Sequence, residues 1–380
     1  MRLKLGIVGL GRAFSLMLPA LRAHPGIELA AASDPRIEAR TRFESEFGAP
    51  TYRSVEALCD DPNVGAVYIA TPHQLHAWHA CVAAMRGKHV LVEKPMAISL
   101  AECDAMIEAA QKAGVQLVVG HSHSFDAPIA RARAIVASGE LGAVRMVSAL
   151  NYTDFLYRPR RPEELDTAKG GGVFFSQAAH QVDVVRLLVG APVRSVRASS
   201  GRWDPSRATE GAYCAHLAFD NGAFAALTYS GYGHFDSDAL CGGIGELGQA
   251  REGRQGAARR ALASSAEPEV DVRNARSYGG AAEAATPDPV AHQHFGFVLV
   301  SCERGDLRPM PDGVHVYGDD EARFEALPPP ASPRAEVIDE FLHAIASGRP
   351  APHDGRWGRG TLEVCLAMLS SAREGREVML

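Results

Sequence analysis

The stretch Leu3-Lys4-Leu5-Gly6-Ile7-Val8-Gly9-Leu10-Gly11-Arg12-Ala13-Phe14 decides the fold of the first third of the chain, because an apolar strand pattern runs into a glycine turn and then a helical pattern. Gly9 permits a tight turn, and Gly11 lets the backbone approach a pyrophosphate at the helix N-terminus. Asp34 follows the next apolar run, at the position where an acidic side chain accepts hydrogen bonds from the ribose hydroxyls of a dinucleotide. Together these features predict a dinucleotide-binding domain, with Phe14 in place of the usual third glycine.

Strand and helix patterns alternate outward from this turn. Continuous apolar runs predict strands at Leu3–Val8, Ile27–Ala32, Ala66–Ala70, His89–Val92 and Gln116–Val119. Helices are predicted at Ala13–Ala23, Pro35–Phe47, His76–Met85 and Ser99–Ala113, the second of them capped by Asp34 with Pro35 in its first turn. This alternation is typical of an α/β Rossmann domain, a parallel, doubly wound sheet covered on both faces.

The pattern of predicted elements changes after about residue 144, from alternating strands and helices to mostly strands. Strands are predicted at Val144–Ala149, Val193–Ala198, Tyr213–Phe219, Ala223–Tyr229, Gly296–Cys302, Val314–Tyr317 and Phe324–Ala326, with a helix near Gln177–Val189. The turn Asp220-Asn221-Gly222 joins two of the strands as a hairpin. The pattern indicates an α+β domain with an open, mostly antiparallel sheet that has helices on one side.

The predicted boundaries are residues 1–122 for the Rossmann domain and 123–380 for a substrate-binding and oligomerisation domain. Residues 243–291 are rich in Ala, Gly, Arg and Glu and lack apolar periodicity. They indicate a solvent-facing insertion or mobile loop, or alternatively a lid or subunit-contact arm. Two C-terminal helices are predicted at 333–346 and 360–372.

Bulk composition excludes several classes of protein. The formal net charge of −6 gives no basic field for nucleic acid or an anionic membrane. No apolar run approaches the roughly 20 residues that span a bilayer. Seven cysteines without CxxC pairs argue against a disulfide framework and favour the cytoplasm. No metal site is expected, since His73, His76 and His79 lack acidic or cysteine partners.

Asp34 also bears on the choice of cofactor. A carboxylate at this position repels a 2′-phosphate, so NAD is expected rather than NADP. Arg36 and Arg40 follow closely in sequence and are interpreted as a solvated helix face.

Two further motifs carry a resemblance to a known family. They are Ala70-Thr71-Pro72-His73-Gln74-Leu75-His76 and Gly87-Lys88-His89-Val90-Leu91-Val92-Glu93-Lys94-Pro95. Both resemble the glucose–fructose oxidoreductase/inositol dehydrogenase/rhizopine catabolism (Gfo/Idh/MocA) family of oxidoreductases. The resemblance implies that the Ala-Thr-Pro turn lies beside the nicotinamide and that Lys94 reaches the reacting carbinol. The predicted cofactor-binding residues are therefore Gly9, Gly11, Arg12, Ala13, Phe14, Asp34, Arg36, Ala70, Thr71, Pro72, His73, His76, Glu93 and Lys94.

A glycine run followed by spaced acidic and histidine residues is the second family signature. Here it reads Gly170-Gly171-Gly172-Val173-Phe174-Phe175-Ser176-Gln177-Ala178-Ala179-His180-Gln181-Val182-Asp183. The resemblance implies a catalytic role for His180, but Ser176 replaces the usual aspartate and cannot support an imidazolium by charge. On one helix, Ser176 and His180 would share a face. Lys94 and His180 are the predicted catalytic pair, and either of them could be the base.

The segment Asn151-Tyr152-Thr153-Asp154-Phe155-Leu156-Tyr157-Arg158-Pro159-Arg160-Arg161-Pro162 combines aromatic rings with guanidinium groups. Arginine forks suit carboxylates, although an exposed basic loop is the alternative. Together with the motifs above and Thr361-Leu362-Glu363-Val364-Cys365-Leu366-Ala367, it resembles the phthalate 4,5-cis-dihydrodiol dehydrogenases within the family. The predicted substrate-binding residues are Lys94, His121, His123, Tyr152, Arg158, Arg160, Arg161, Ser176, Gln177 and His180. A hinge role is the alternative for His121 and His123, which follow the last Rossmann strand.

The resemblance implies NAD-dependent oxidation of a carboxylated cyclic diol, namely phthalate cis-4,5-dihydrodiol, to 4,5-dihydroxyphthalate in aromatic catabolism. A sugar or inositol dehydrogenase is the alternative enzyme, and a non-catalytic nucleotide-binding regulator is the alternative of another class. The uncovered apolar face of the second sheet predicts a homodimer or homotetramer.

Overall fold

The computed structural model describes residues 2–120, 123–251, 255–283, 289–330 and 332–380. Their contacts divide the chain into two compact units, neither of which is continuous in sequence. The first unit comprises Met1–His121, Glu267–Thr286 and Ser332–Leu362, and the second comprises Ser122–Ala266, Pro287–Ala331 and Glu363–Leu380. The first unit therefore includes residues that the sequence-based division placed after residue 122.

The first unit is built on a six-stranded parallel sheet with the strand order β3-β2-β1-β4-β5-β6. Its strands are β1 (Leu3–Val8), β2 (Ile27–Ser33), β3 (Thr51–Tyr52), β4 (Ala66–Ile69), β5 (His89–Glu93) and β6 (Leu117–Gly120). The connecting helices are α1 (Arg12–Ala23), α2 (Ile37–Phe47), α3 (Val55–Cys59), α4 (His76–Met85) and α5 (Leu100–Ala113). The reversal of strand order beside β1 places the ends of β1 and β4 together, where open α/β sheets bind ligands.

The start of α2 corrects one prediction. The helix begins at Ile37 with Arg36 at the N-cap position, and no side chain makes a capping hydrogen bond there. Asp34 and Pro35 lie before the helix, because the carboxylate of Asp34 is occupied by the N–H groups of Leu10, in the glycine turn, and of Arg36.

A segment distant in sequence completes the first unit. It contains α10 (Glu269–Ala275) and Tyr278, whose fully buried ring meets Phe14 edge to face at a centroid distance of 5.1 Å. The hydroxyl of Tyr278 donates to Glu46 Oε2 at 2.9 Å. Gly279 adopts φ +72°, and a Cβ there would lie 2.9 Å from Cα of Ala39, so the segment packs directly on the α2 backbone. Part of the predicted insertion is thus an ordered component of the Rossmann unit.

The C-terminal helices are α11 (Ala335–Ser347) and α12 (Gly355–Glu374). Between them, the carbonyl of His353 accepts from the N–H of Val119 at 2.9 Å, which extends the pairing of β6 beyond the six strands. The residues of α12 up to Leu362 belong to the first unit, and those from Glu363 belong to the second.

The second unit contains a nine-stranded sheet with the order β14-β13-β12-β11-β7-β10-β9-β8-β15. Its strands are β7 (Val144–Tyr152), β8 (Val193–Gly201), β9 (Ala212–Phe219), β10 (Phe224–Ser230), β11 (Phe297–Cys302), β12 (Gly305–Met310), β13 (Gly313–Gly318), β14 (Ala322–Ala326) and β15 (Val378–Met379). Among the described strand pairs of this second sheet, only β7 and β10 are parallel. The predicted combination of a Rossmann domain and an open, mostly antiparallel α+β domain is confirmed.

Helices α6 (Ala127–Ser138) and α8 (Ala178–Val189) pack on one face of this sheet, and α7 (Gly172–Ser176) immediately precedes α8. Helix α9 (Ala257–Ser264) contacts the loop that follows β7. The opposite face carries partly exposed side chains, including Phe224 at 41% exposure, in register with Met146 of β7. Within the described ranges, no helix has the length and hydropathy needed to cross a membrane.

Candidate active site

The glycine turn has the geometry of a dinucleotide cradle. Gly9 adopts φ +94°, and a Cβ at this position would lie 2.8 Å from Thr71 Cγ2 and 2.9 Å from the carbonyl oxygen of Ala70. Helix α1 follows with Gly11 as its N-cap, and its first helical bond runs from the Ser15 N–H to the Gly11 carbonyl. The N–H groups of Arg12, Ala13 and Phe14 precede that bond and point toward the helix N-terminus, as pyrophosphate binding requires. The residues present therefore fit the phosphates of a dinucleotide.

The ring of Phe14 does not face this cradle. It is fully buried against Phe43 and Tyr278. Only the backbone of Phe14 is therefore available to a cofactor.

Asp34 lies at the end of β2, as predicted, but it already has several donors. Its Oδ2 accepts from the Leu10 N–H at 2.8 Å, and its Oδ1 accepts from the Arg36 N–H at 2.9 Å and from Arg36 Nε at 3.1 Å. Arg36 Nη2 also donates to the Leu10 carbonyl at 2.7 Å, and Nη1 donates to the Tyr278 carbonyl at 3.4 Å. The ribose end of the site thus holds a charge pair rather than an isolated carboxylate.

The interpretation of Arg36 and Arg40 as a solvated helix face is wrong. Arg36 is turned onto Asp34, and Arg40 is buried with its Nη1 donating to the carbonyls of Asp34 and Pro35 at 2.7 and 3.0 Å. Arg40 satisfies carbonyls where the chain leaves β2 for α2, whereas Arg36 binds the Asp34 carboxylate and the carbonyls of Leu10 and Tyr278.

Two buried histidines of α4 contact Thr71 in the Ala-Thr-Pro turn. His76 is completely buried, with Nδ1 2.9 Å from the Pro95 carbonyl and Nε2 2.8 Å from the Thr71 carbonyl. Burial lowers the pKa of His76, against the raising effect of the two carbonyls. Because its side chain has no exposed surface, His76 supports the two functional turns rather than contacting a cofactor itself, which corrects the prediction of direct contact.

His79 behaves similarly, since its Nδ1 lies 3.0 Å from Thr71 Oγ1. Burial, with a smaller contribution from His76, lowers the pKa of His79 to about 4. His73 lies at the start of the same turn, half-buried, and its ring meets that of His76 edge to face.

Lys94 follows β5 at the ligand-binding edge of the sheet and is half-buried. Its neighbour Glu93 accepts from the buried Tyr68 hydroxyl at 2.5 Å. Burial and this carboxylate raise the pKa of Tyr68 well above its usual value, so its hydroxyl stays protonated and holds Glu93 in place. Glu93 is thus bound to the protein core, and Lys94 is presented by a fixed strand end.

In the second unit the glycine signature forms two helices rather than one. Helix α7 ends at Ser176, the chain changes direction at Gln177, and α8 begins at Ala178. Ser176 Oγ donates back to the Gly172 carbonyl at 2.5 Å. The expectation that Ser176 and His180 share a face of one helix is therefore wrong, because Gln177 interrupts the helix between them.

His180, in the first turn of α8, is buried beside a second histidine. The rings of His123 and His180 meet edge to face with centroids 4.6 Å apart, and Phe295 packs against both rings. His123 Nδ1 lies 3.0 Å from Asp126 Oδ2. The structure brings two of the predicted residues together here. His121, which was also predicted, lies outside the described residues.

Sequence reasoning missed Asp126, Phe295 and Glu246 in this cluster. Glu246 accepts from Asn151 Nδ2 at 3.1 Å and lies 3.5 Å from Arg158 Nη1. Burial raises the pKa of Glu246, but Arg158, His123 and the Asn151 hydrogen bond outweigh burial, so the pKa lies below its usual value. The aspartate three residues after His123 was the one available signal in the sequence.

A cleft adjoins this cluster between the sheet and helices α6 and α8. Its polar lining consists of His123, Gln181, Gln293 and His294. Gln181 is fixed by the Tyr213 hydroxyl, which donates to its Oε1 at 2.7 Å. Apolar side chains, among them Ile129 and Val184, form most of the remaining lining.

The loop arginines differ from one another. Arg158 is bound to the carboxylates of Asp154 at 3.0 Å and Glu246 at 3.5 Å. Although burial lowers the pKa of Arg158, these two carboxylates raise it overall. Arg160 is 9% exposed and donates through Nε and Nη2 to the Phe155 carbonyl, with its guanidinium 3.5 Å from the Phe155 ring centroid. Both guanidinium groups have acceptors within the protein, and their role in reading substrate carboxylates stays a prediction.

Three further residues predicted to bind substrate are Tyr152, Arg161 and Gln177. Arg161 and Tyr152 are half-buried, and the Arg161 backbone N–H donates to Glu164 Oε2 at 2.8 Å. Gln177, at the break between α7 and α8, is buried. Arg161 stays a loop cation predicted to meet a substrate carboxylate.

Comparisons with known proteins agree with this fold. Residues 3–121 match the model "Oxidoreductase family, NAD-binding Rossmann fold", and residues 129–251 match "GFO/IDH/MocA C-terminal domain". The chain is 46% identical to 1-carboxy-3-chloro-3,4-dihydroxycyclohexa-1,5-diene dehydrogenase of Comamonas testosteroni, covering 98% of this chain and 95% of the relative. Myo-inositol 2-dehydrogenase of Thermotoga maritima is 29% identical, covering 51% of this chain and 57% of the relative.

A crystal structure from Bordetella bronchiseptica RB50, described as a candidate dehydrogenase, superimposes with a TM-score of 0.95 at 45% identity and covers 100% of both chains. The relatives are named as dehydrogenases, so the alternative of a non-catalytic regulator is set aside. Motifs, architecture and near full-length similarity agree: this chain is an oxidoreductase of the Gfo/Idh/MocA family with an NAD-binding Rossmann domain.

Proposed function

We propose that this oxidoreductase uses NAD to oxidise a ring secondary alcohol of a carboxylated cyclohexadiene cis-diol. The specific substrate proposed is phthalate cis-4,5-dihydrodiol, and the product is 4,5-dihydroxyphthalate. The observation that carries the proposal is the 46% identity, over nearly the whole chain, to a dehydrogenase named for a carboxylated dihydroxycyclohexadiene. The loop with Arg161 supplies a cation in the unit that contains His180.

The reaction removes two hydrogens from the diol. NAD, when bound, accepts the hydride from the carbinol carbon. The hydroxyl proton passes to a base, and the ring ketone tautomerises to a catechol. Rearomatisation then draws the reaction forward.

Lys94 and His180 are proposed to perform the acid–base work. A neutral imidazole takes a proton near pH 7 because its reference pKa is about 6.5. Lys94 donates a hydrogen bond or a positive field to the developing alkoxide. Lys94 is itself the alternative base, and separate variants of the two residues distinguish these roles.

NAD is proposed as the preferred cofactor because Asp34 occupies the ribose position. Arg36 neutralises part of that carboxylate, at 3.1 Å between Nε and Oδ1, so discrimination against a 2′-phosphate is expected to be moderate. Arg12, Ala13 and Phe14 would hold the pyrophosphate through backbone N–H groups.

The test measures NADH formation with each compound of a substrate panel. It contains phthalate cis-4,5-dihydrodiol, a monocarboxylated cyclohexadiene cis-diol, the matched uncarboxylated cis-diol and myo-inositol. A charge-assisted contact contributes about 1.5–3 kcal/mol, so kcat/KM for the carboxylated diols should exceed that of the uncarboxylated diol by about tenfold or more. Equal kcat/KM values for phthalate cis-4,5-dihydrodiol and the matched uncarboxylated cis-diol would refute carboxylate recognition.

A sugar or inositol dehydrogenase remains the second candidate, supported by the similarity to the Thermotoga maritima enzyme. Inositol as the best substrate in the same panel would establish it. A monocarboxylated diol as the best substrate would keep the reaction class and replace phthalate.

A further inference from the structure

The site around His180 lacks the acidic residue that the family signature places at position 176. Ser176 carries no charge, and its hydroxyl is bonded to the Gly172 carbonyl. His180 is only 7% exposed, so its protonated form is a buried cation. A buried cation is costly unless a negative charge or acceptor lies close to it.

A carboxylate from another element, Asp126, is linked to His180 through a second histidine. Asp126, at the N-cap of α6, lies 3.0 Å from His123 Nδ1, and both side chains are at least nine-tenths buried. The His123 ring in turn contacts the His180 ring edge to face. Phe295 covers both rings at 5.0 and 4.6 Å between centroids, which fixes their relative orientation and limits screening by water.

Asp126 also determines which His123 nitrogen carries the proton. A carboxylate 3.0 Å from Nδ1 requires Nδ1–H, which leaves Nε2 as the acceptor of the neutral ring. This bond sets the tautomer and the rotation of the ring that packs against His180.

Two other carboxylates near His180 are associated with arginines. Asp183 follows on the same helix, where burial lowers the pKa of Arg186 and the Asp183 carboxylate opposes that lowering. Glu246 is associated with Arg158 and Asn151. Asp126 is therefore the carboxylate whose described hydrogen bond leads directly to the ring beside His180.

We propose that Asp126 and His123 are positioning residues that replace the missing carboxylate at 176, with Asp126 orienting His123 and stabilising protonated His180 across it. The inference rests on the proposed function for the role of His180 in turnover. Its physical content, a coupling between Asp126 and the protonation of His180, does not depend on the substrate.

The test is a pH titration of the histidine rings by NMR in the full chain without substrate. A negative charge acting across one ring should shift the His180 pKa by about one unit. Asp126→Asn should therefore lower the His180 pKa by about that amount and release the Nδ1–H tautomer of His123, while Asp183→Asn should change the His180 pKa less. An unchanged His180 pKa in Asp126→Asn, or a larger shift in Asp183→Asn, would overturn the proposal.

His123→Gln provides a second variant if Asp126→Asn does not fold, and it should lower the His180 pKa in the same direction. The wild-type spectrum is an independent check, because an Nε2–H tautomer of neutral His123 contradicts the proposed bond. With the best diol, the acidic limb of the kcat/KM profile should move to lower pH in Asp126→Asn. A purely structural role would lower the rate at every pH and leave the limb in place. Absence of diol turnover would refute the substrate but leave the NMR result decisive for the coupling.

Discussion

The glycine turn of the first unit and the histidine cluster of the second are held by different kinds of contact. In the first region, hydrogen bonds to backbone groups hold the turn, such as the Leu10 N–H on Asp34 and the Thr71 carbonyl beside His76, together with the Arg36–Asp34 pair. His123 and His180 are instead fixed by side chains, chiefly Asp126 and Phe295. Backbone contacts tolerate substitution of neighbouring side chains, whereas side-chain contacts depend on each partner. The cofactor turn should therefore keep its form among relatives, while the substrate side can change.

The largest predicted effect tests whether the first and the second unit each supply a catalytic residue. Lys94→Ala and His180→Ala should each lower kcat by roughly 10²–10⁴-fold, the usual loss of general acid–base catalysis. NAD binding, measured by calorimetry, should change little in either variant. Lys88→Ala is the matched lysine control, because Lys88 donates to the carbonyls of Asp61 and Val64 in the same unit. Near wild-type turnover in both active-site variants would move the chemistry elsewhere.

The next effect sharpens the difference between the loop arginines. Arg161→Ala should raise KM for a carboxylated diol by about tenfold to a hundredfold, from a lost contact of about 1.5–3 kcal/mol, with an unchanged Tm. Arg158→Ala should mainly lower Tm, by the equivalent of about 1 kcal/mol, because its 40% exposed side chain pairs with Asp154 and Glu246. If Arg161→Ala leaves KM unchanged, this arginine does not read the substrate.

The preference between NAD and NADP tests the part of the first unit that contains Asp34. Wild type should prefer NAD, and Asp34→Ser should weaken that preference. Arg36→Ala should strengthen the preference about tenfold, since it removes a cation worth about 1.5 kcal/mol to a 2′-phosphate. Binding of ADP-ribose and its 2′-phosphate, measured by calorimetry, separates this effect from turnover. Arg42→Ala is the control, because Arg42 pairs with Glu46 rather than Asp34. Equal binding of both ligands by wild type contradicts the proposed NAD preference.

The smallest effect on catalysis concerns the open face of the nine-stranded sheet. Phe224, 41% exposed on that face, is expected to lie in the interface of a homodimer or homotetramer. Phe224→Asp should reduce the particle mass in light scattering while changing kcat little. Asp306→Asn, elsewhere on this sheet, is a control that introduces no charge. A wild-type monomer at micromolar concentration would rule out the oligomer.

The Rossmann fold could be predicted from sequence because its strands are continuous apolar runs with local turn signals. The strand Gly305–Met310 was missed, since Gly305 and Pro309 interrupt the strand pattern although β12 lies between two neighbours. Gly9, Asp34 and Lys94 could be proposed as site residues because their motifs are local. Asp126, Phe295 and Glu246 were missed as partners because they come from three distant segments, and no periodicity links them.

The docking of Tyr278 and of the His353 backbone onto the first unit has a consequence for biosynthesis. A nascent chain of 122 residues contains all six parallel strands, but it lacks the ring that packs on Phe14 and the carbonyl that accepts from Val119. The ribosome must pass residue 362 before the last residues of this unit are made. Until then, part of its apolar surface stays open to chaperones and to other chains. Truncation before residue 267 should therefore yield an aggregation-prone protein, even though every residue of the nucleotide fingerprint is present.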